Sequence, residues 1–159
     1  MRTLAIALCL GLAASSAVAQ ETTIELNDGG DTLSIVQDDN QRNVTVALGG
    51  NFSDLLKVTV ANAAVDPSAV YVGPLCGGCD PVAFVPAYDR SSTYGAVTGV
   101  LAWSYADGAL WRMTVLPLEV PALSDVDGDG FPELVETFNG DVVPYSFDGG
   151  FLTPLEAID

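Results

Sequence analysis

Short runs of alternating or β-branched residues, cut by turns rich in glycine and aspartate, fill most of this chain and set its fold class. Thr22-Thr23-Ile24-Glu25-Leu26 runs into the turn Asn27-Asp28-Gly29-Gly30-Asp31, and Thr32-Leu33-Ser34-Ile35-Val36 follows. Asp38-Asp39-Asn40-Gln41 turns the chain again before Asn43-Val44-Thr45-Val46-Ala47-Leu48, and Gly49-Gly50-Asn51 ends that run. Lys57-Val58-Thr59-Val60 continues the pattern with stiff side chains that suit a pleated surface. Residues 62 to 95 are less regular, with turns at Asp66-Pro67-Ser68 and Gly73-Pro74, a short apolar strand at Val82 to Val85 and a polar connection from Tyr88 to Gly95. Val97 to Tyr105 and Ala109 to Leu118 flank the hairpin turn Ala106-Asp107-Gly108. Leu134 to Phe138, Val142 to Phe147 and Phe151 to Thr153 are separated by Asn139-Gly140-Asp141 and Asp148-Gly149-Gly150. No stretch sustains a helical period. The spacing predicts an all-β fold of antiparallel sheets joined by Gly/Asp turns. Trp103 and Trp111 read as core or sheet-face residues rather than as a sugar platform.

Met1 to Ala19 has the form of a secretory leader: Arg2, an apolar core from Leu4 to Ala14, and the small-residue site Ala17-Val18-Ala19. Its apolar run is too short to span a bilayer, so no membrane insertion is expected after cleavage. Removing 19 of 159 residues leaves 140, enough for one β-rich domain over residues 20–159. The product is expected in a periplasm or outside the cell. The net charge is −16 and becomes −17 when Arg2 leaves; Arg42, Lys57, Arg90 and Arg112 are the remaining cations. Nucleic acid and anionic membranes are poor partners for such a chain, whereas divalent cations or a basic protein suit it. The chain contains no histidine, which removes Ser-His-Asp and Cys-His catalysis and every imidazole metal site.

The densest chemistry lies in Asp125-Val126-Asp127-Gly128-Asp129-Gly130-Phe131-Pro132-Glu133-Leu134. Calcium takes about 6 to 8 oxygen ligands, and short Asp side chains at alternate positions of a tight turn can converge on one point. Asp125, Asp127 and Asp129 are so spaced, Gly130 permits the backbone reversal, the Phe131 carbonyl can turn inward, and Glu133 can close the shell directly or through water. Without a cation these carboxylates would repel one another. Glu136 falls where an EF-hand carries its bidentate Glu, but Pro117 and Pro121 break an entering helix and Leu134-Val135 continues as a strand. The segment resembles instead the calcium loop of FG-GAP/VCBS repeats, over roughly residues 120–153, with Glu133 in place of the usual Asp and with Gly140, Tyr145 and Asp148-Gly149-Gly150-Phe151 similar to the end of such a repeat. The resemblance implies a strand-to-strand calcium loop in a propeller-blade-like C-terminal sheet. The chain is too short for a usual closed propeller. A second, fainter echo relates the Asp-Gly turns at Asp107 and Asp148.

Cys76-Gly77-Gly78-Cys79 closes a very short loop bracketed by Pro74 and Asp80-Pro81. In an oxidising compartment Cys76 and Cys79 are expected to pair as a local staple. A redox centre is the alternative, but it wants a helix N-terminus, and a neighbouring Asp80 raises rather than lowers a thiol pKa. Three functions are consistent with the whole chain. The first is an exported non-catalytic calcium-binding module for recognition or adhesion, with a protein or glycan partner. The second is a small inhibitor or envelope binding protein stapled by Cys76 and Cys79. The third is a hydrolase working through paired carboxylates such as Glu119, Glu136 or Asp141.

Overall fold

The computed structural model describes residues 19–38, 43–50, 56–90, 97–105, 110–148 and 151–155. The leader up to residue 18, Arg42, the turn over residues 39–41, the hairpin turn Ala106-Asp107-Gly108 and the pair Gly149-Gly150 lie outside the described residues. Three antiparallel sheets follow one another along the chain. The first is a meander of β1 (Gln20–Glu25), β2 (Thr32–Asp38), β3 (Asn43–Gly49) and β4 (Lys57–Ala61). The middle sheet runs β5 (Ala63–Val65), β7 (Pro81–Asp89), β8 (Val97–Tyr105) and β9 (Leu110–Val115), with β6 (Tyr71–Pro74) also paired to β7. The third is a second meander, β10 (Ala122–Ser124), β11 (Glu133–Phe138), β12 (Asp141–Asp148) and β13 (Phe151–Pro154). A single turn of 3₁₀ helix, Pro67–Ala69, is capped by the Asp66 side chain, which accepts from Ser68 N–H. Among the described residues no helix is long and apolar enough to cross a membrane, and the sheets do not close into a barrel or propeller.

The sheets are stacked, and the central strands of the middle one, β7 and β8, contribute to a core on each face. Ala83, Val85 and Ala87 on β7, Val100 and Ala102 on β8 and Trp111 on β9 join Leu33, Ile35, Val44, Val46 and Leu48 of the first sheet in one core. The alternate residues Val82, Phe84, Leu101 and Trp103 join Leu134, with Tyr145 and Phe147, of the third sheet in another. Successive strand residues point to opposite faces, so a strand with no solvent face is apolar throughout. Trp103 meets Phe147 edge to face, with ring centroids 5.4 Å apart. The outer face of the first sheet is polar, and there Thr45 and Thr59 share a hydrogen bond of 3.1 Å.

Local chemistry accounts for the turns. Asn27 Oδ1 accepts from Gly29 N–H at 2.9 Å and Asp31 N–H at 3.2 Å, folding the β1–β2 connection around one side chain. Asn139 and Gly140 both take positive φ, 52° and 93°, which is the type I′ geometry that matches strand twist between β11 and β12. Two expectations need correction. Tyr88 and Asp89, expected to begin a polar connection, are the end of a nine-residue strand, since β7 continues through Pro86 to Asp89, and residues 91–95 of that connection lie outside the described residues. Pro86 lies opposite the gap between β5, which pairs residues 87–89, and β6, which pairs residues 81–84, so no ladder bond is lost on that edge. Gly73-Pro74, expected as a turn, ends β6 with Pro74 opposite Pro81.

Candidate metal centre

The acidic segment is the connection between β10 and β11, whose ladder closes at Ser124 opposite Glu133. It is therefore held at both ends by one sheet, and no helix flanks it. Backbone amides organise the carboxylates. Asp125 Oδ1 accepts from Gly128 N–H at 2.7 Å and its Oδ2 from Gly130 N–H at 3.1 Å. Asp127 accepts from Asp129 N–H at 3.0 Å, Asp129 from Phe131 N–H at 2.8 Å, and Glu133 from Val126 N–H at 2.7 Å. Each bond draws an acid toward the loop's own backbone, and together they gather like charges that would otherwise separate. A hydrogen-bonded carboxylate oxygen retains lone-pair capacity for a cation.

One oxygen from each of Asp125, Asp127 and Glu133 lies within 4.8 Å of the others. Asp125 and Asp127 are exposed and Glu133 is half-buried, an arrangement open to a hydrated ion. Asp129 stands outside this triad and caps the Phe131 amide. Phe131 turns its ring toward the cysteine loop, where a Cβ on Gly77 would lie 3.6 Å from it. Asp127, Asp129 and Glu133 line a groove of about 380 Å³ together with Cys76, Cys79, Tyr145 and Phe147. Cys76 and Cys79 form a disulfide with Cα atoms 5.2 Å apart.

Glu136, three strand positions beyond Glu133, the partner of Ser124, has a different task. Its Oε1 accepts from Glu119 N–H at 2.6 Å and its Oε2 from the Tyr145 hydroxyl at 2.8 Å. The hydrogen bond to Glu136 raises the Tyr145 phenol pKa above its ordinary value, with desolvation adding to it. Both carboxylate oxygens thus tie the chain that enters β10 to β11 and β12. Glu136→Ala will loosen this corner by about 1 to 2 kcal/mol, discounted for its solvent exposure, and will leave any calcium-induced rise in melting temperature at its wild-type size. Thermal melts of the variant with calcium and with a chelator check both parts.

Sequence spacing located the acidic loop but not the wall opposite it. Residues 76–79 and 125–133 are far apart along the chain, and neither segment carries a mark of the other. The Glu136–Tyr145 bond was equally hidden, although the two residues are near neighbours across β11 and β12, where Glu136 faces Val143 in register. Of the other acids considered for catalysis, Asp141 is exposed at the β11–β12 turn opposite Phe138, and Glu119 takes part here through its backbone. Trp103 and Trp111 are 8% and 2% exposed, which removes both as a sugar platform. Compared with protein-family models, with curated proteins and with solved structures, the chain matches none.

Proposed function

We propose that the chain is an exported, non-catalytic calcium-binding β module in which the cation has a structural role. The convergence of Asp125, Asp127 and Glu133 oxygens within 4.8 Å on a loop pinned between two strands carries this reading. An all-oxygen set without imidazole or free thiolate favours a hard cation over zinc or copper. The net charge of −16 adds a long-range attraction for divalent cations. Loop placement also agrees with what the FG-GAP/VCBS resemblance implies, a calcium loop running from strand to strand. Export rests on the leader-like sequence at residues 1–19, and the Cys76–Cys79 disulfide favours an oxidising compartment. A recognition role is supported by a second groove of about 410 Å³, in which Tyr71 and Tyr88 lie among Pro86, Pro121 and Pro132.

Extracellular calcium modules bind with constants of about 10⁻⁴ to 10⁻³ M. At calcium ten times the dissociation constant the folded state gains about 1.4 kcal/mol, which corresponds to roughly 3 to 8 °C in melting temperature for a domain of this size. Millimolar calcium will raise the melting temperature by that amount over a chelator-treated sample, and Asp127→Ala will abolish the rise. Superimposable melts with calcium and with chelator would sink the proposal.

A further inference from the structure

The acidic loop approaches the cysteine loop at Phe131. The N–H of Phe131 is held by Asp129 at 2.8 Å, and its ring stands beside Gly77 at the tip of the Cys76–Cys79 loop, within 3.6 Å of where a Cβ on that glycine would be. That tip is fixed by the disulfide and by Cys79 N–H donating to the Cys76 carbonyl at 3.1 Å. The two glycines between the cysteines are exposed, and Cys76 and Cys79 are half-buried on the wall of the groove that Asp127, Asp129 and Glu133 share. Opened, a Gly-Gly pair is the most freely moving dipeptide a chain can contain, and the seat for the Phe131 ring goes with it. Phe131 and the carboxylates are linked through consecutive backbone amides, so movement of the ring is passed to the Asp129 and Asp125 hydrogen bonds.

We propose that the Cys76–Cys79 disulfide is a redox control on the acidic loop: closed, it holds Phe131 and the carboxylate cluster in order; reduced, it releases them and weakens divalent-cation binding. The second half rests on the calcium reading above. The reductant is a dithiol. Its thiolate attacks Sγ of one cysteine and expels the other as a thiolate; its second thiolate then attacks the reductant sulfur of the mixed disulfide and expels the first cysteine as a thiolate, and both cysteine thiolates take up protons. The protein gains two electrons and two protons as two thiols, and the dithiol leaves as a cyclic disulfide.

Hydrogen exchange on the full chain, oxidised and after dithiothreitol, reads the first half without any metal. The amides of Gly128, Gly130 and Phe131 will exchange about tenfold or more faster in the reduced protein, while those of Val100 to Trp103 in the middle sheet keep their protection. The double variant Cys76→Ser/Cys79→Ser will match the reduced protein and ignore dithiothreitol. Phe131→Ala will exchange fast at Gly128 and Gly130 in both redox states. Equal loop exchange in the two states would overturn the proposal. So would loss of protection throughout the middle sheet, which would make the disulfide a global staple. Calcium titrations of the same samples read the second half, with an apparent dissociation constant about tenfold weaker on reduction. Redox-dependent loop exchange with no calcium response in the oxidised protein would remove the cation reading and leave the coupling standing. A calcium response equal in both states would do the reverse.

Discussion

Leu101→Ala will destabilise the protein by about 2 to 5 kcal/mol, seen as a lower denaturant midpoint at unchanged slope. Leu101 is fully buried in β8 and packs with Phe84, Trp103 and Leu134 in the core between the middle and third sheets. Its removal takes away apolar burial and leaves space that Trp103 and Phe147, locked edge to face, are poorly placed to fill. Trp111→Ala, in the core between the first and middle sheets, will cost about 3 to 5 kcal/mol. Thr45→Ala on the outer face of the first sheet will stay within about 0.5 kcal/mol of wild type. With total stabilities of about 5 to 15 kcal/mol, either core change removes a large share of the whole. The comparison tests the stacking itself. If Leu101→Ala behaved like Thr45→Ala, the third sheet would not be packed on the middle one.

The same two-sided burial explains which strands were legible in the sequence. The first sheet has a polar outer face, so Leu33 and Ile35 on β2 and Val44, Val46 and Leu48 on β3 alternate visibly with Ser34, Thr45 and Ala47. The central strands of the middle sheet, β7 and β8, have no such face over residues 82–85 and 100–103. Val82-Ala83-Phe84-Val85 shows an apolar run without a period, and Pro86 then looks like its end although the strand continues to Asp89. Ala63–Val65, Tyr71–Pro74 and Ala122–Ser124 are strands of three or four residues next to turn-forming prolines or asparagine, too short to show any periodicity. They become strands only because β7 and β11 offer an edge to pair with. Nor does local sequence tell that Ala83 and Phe84, adjacent along the chain, belong to different cores.

At the candidate site, the legible part was the part written in consecutive residues. Alternating Asp at 125, 127 and 129 with Glu133 specified a loop that gathers oxygens, and Asp125, Asp127 and Glu133 come together. Asp129 was indistinguishable from its neighbours in that pattern. Its side chain accepts from the amide two residues on, as that of Asp127 also does, but its oxygens lie outside the close group of three. Glu136 was ambiguous for the opposite reason: its spacing suited a ligand, and only the positions of Glu119 and Tyr145 across the strands show where its oxygens go.

Gly50→Ala will cost about 2 to 5 kcal/mol, whereas Gly30→Ala will cost about 1 to 2 kcal/mol. Both glycines take the left-handed backbone, with φ of +85° and +87°, so an L side chain is strained at either. Their surroundings differ. A Cβ on Gly30 meets nothing within 4 Å, while one on Gly50 would stand 2.5 Å from the Gly30 carbonyl oxygen and 3.0 Å from Asp31 Cα. Those are backbone atoms, and they have little freedom to retreat. Asp31 is 5% exposed, its N–H is held by Asn27 and its carbonyl accepts from Leu26 N–H at 2.9 Å. Relief of the clash would therefore have to break the Asn27-centred turn or pull β3 away from β2 near Gly49 and Thr32. Urea denaturation of the two variants side by side separates the shared conformational cost from the steric one. Equal losses at the two positions would mean that the β1–β2 turn and the end of β3 do not approach so closely, and the register of the first sheet at Thr32 and Gly49 would have to be redrawn.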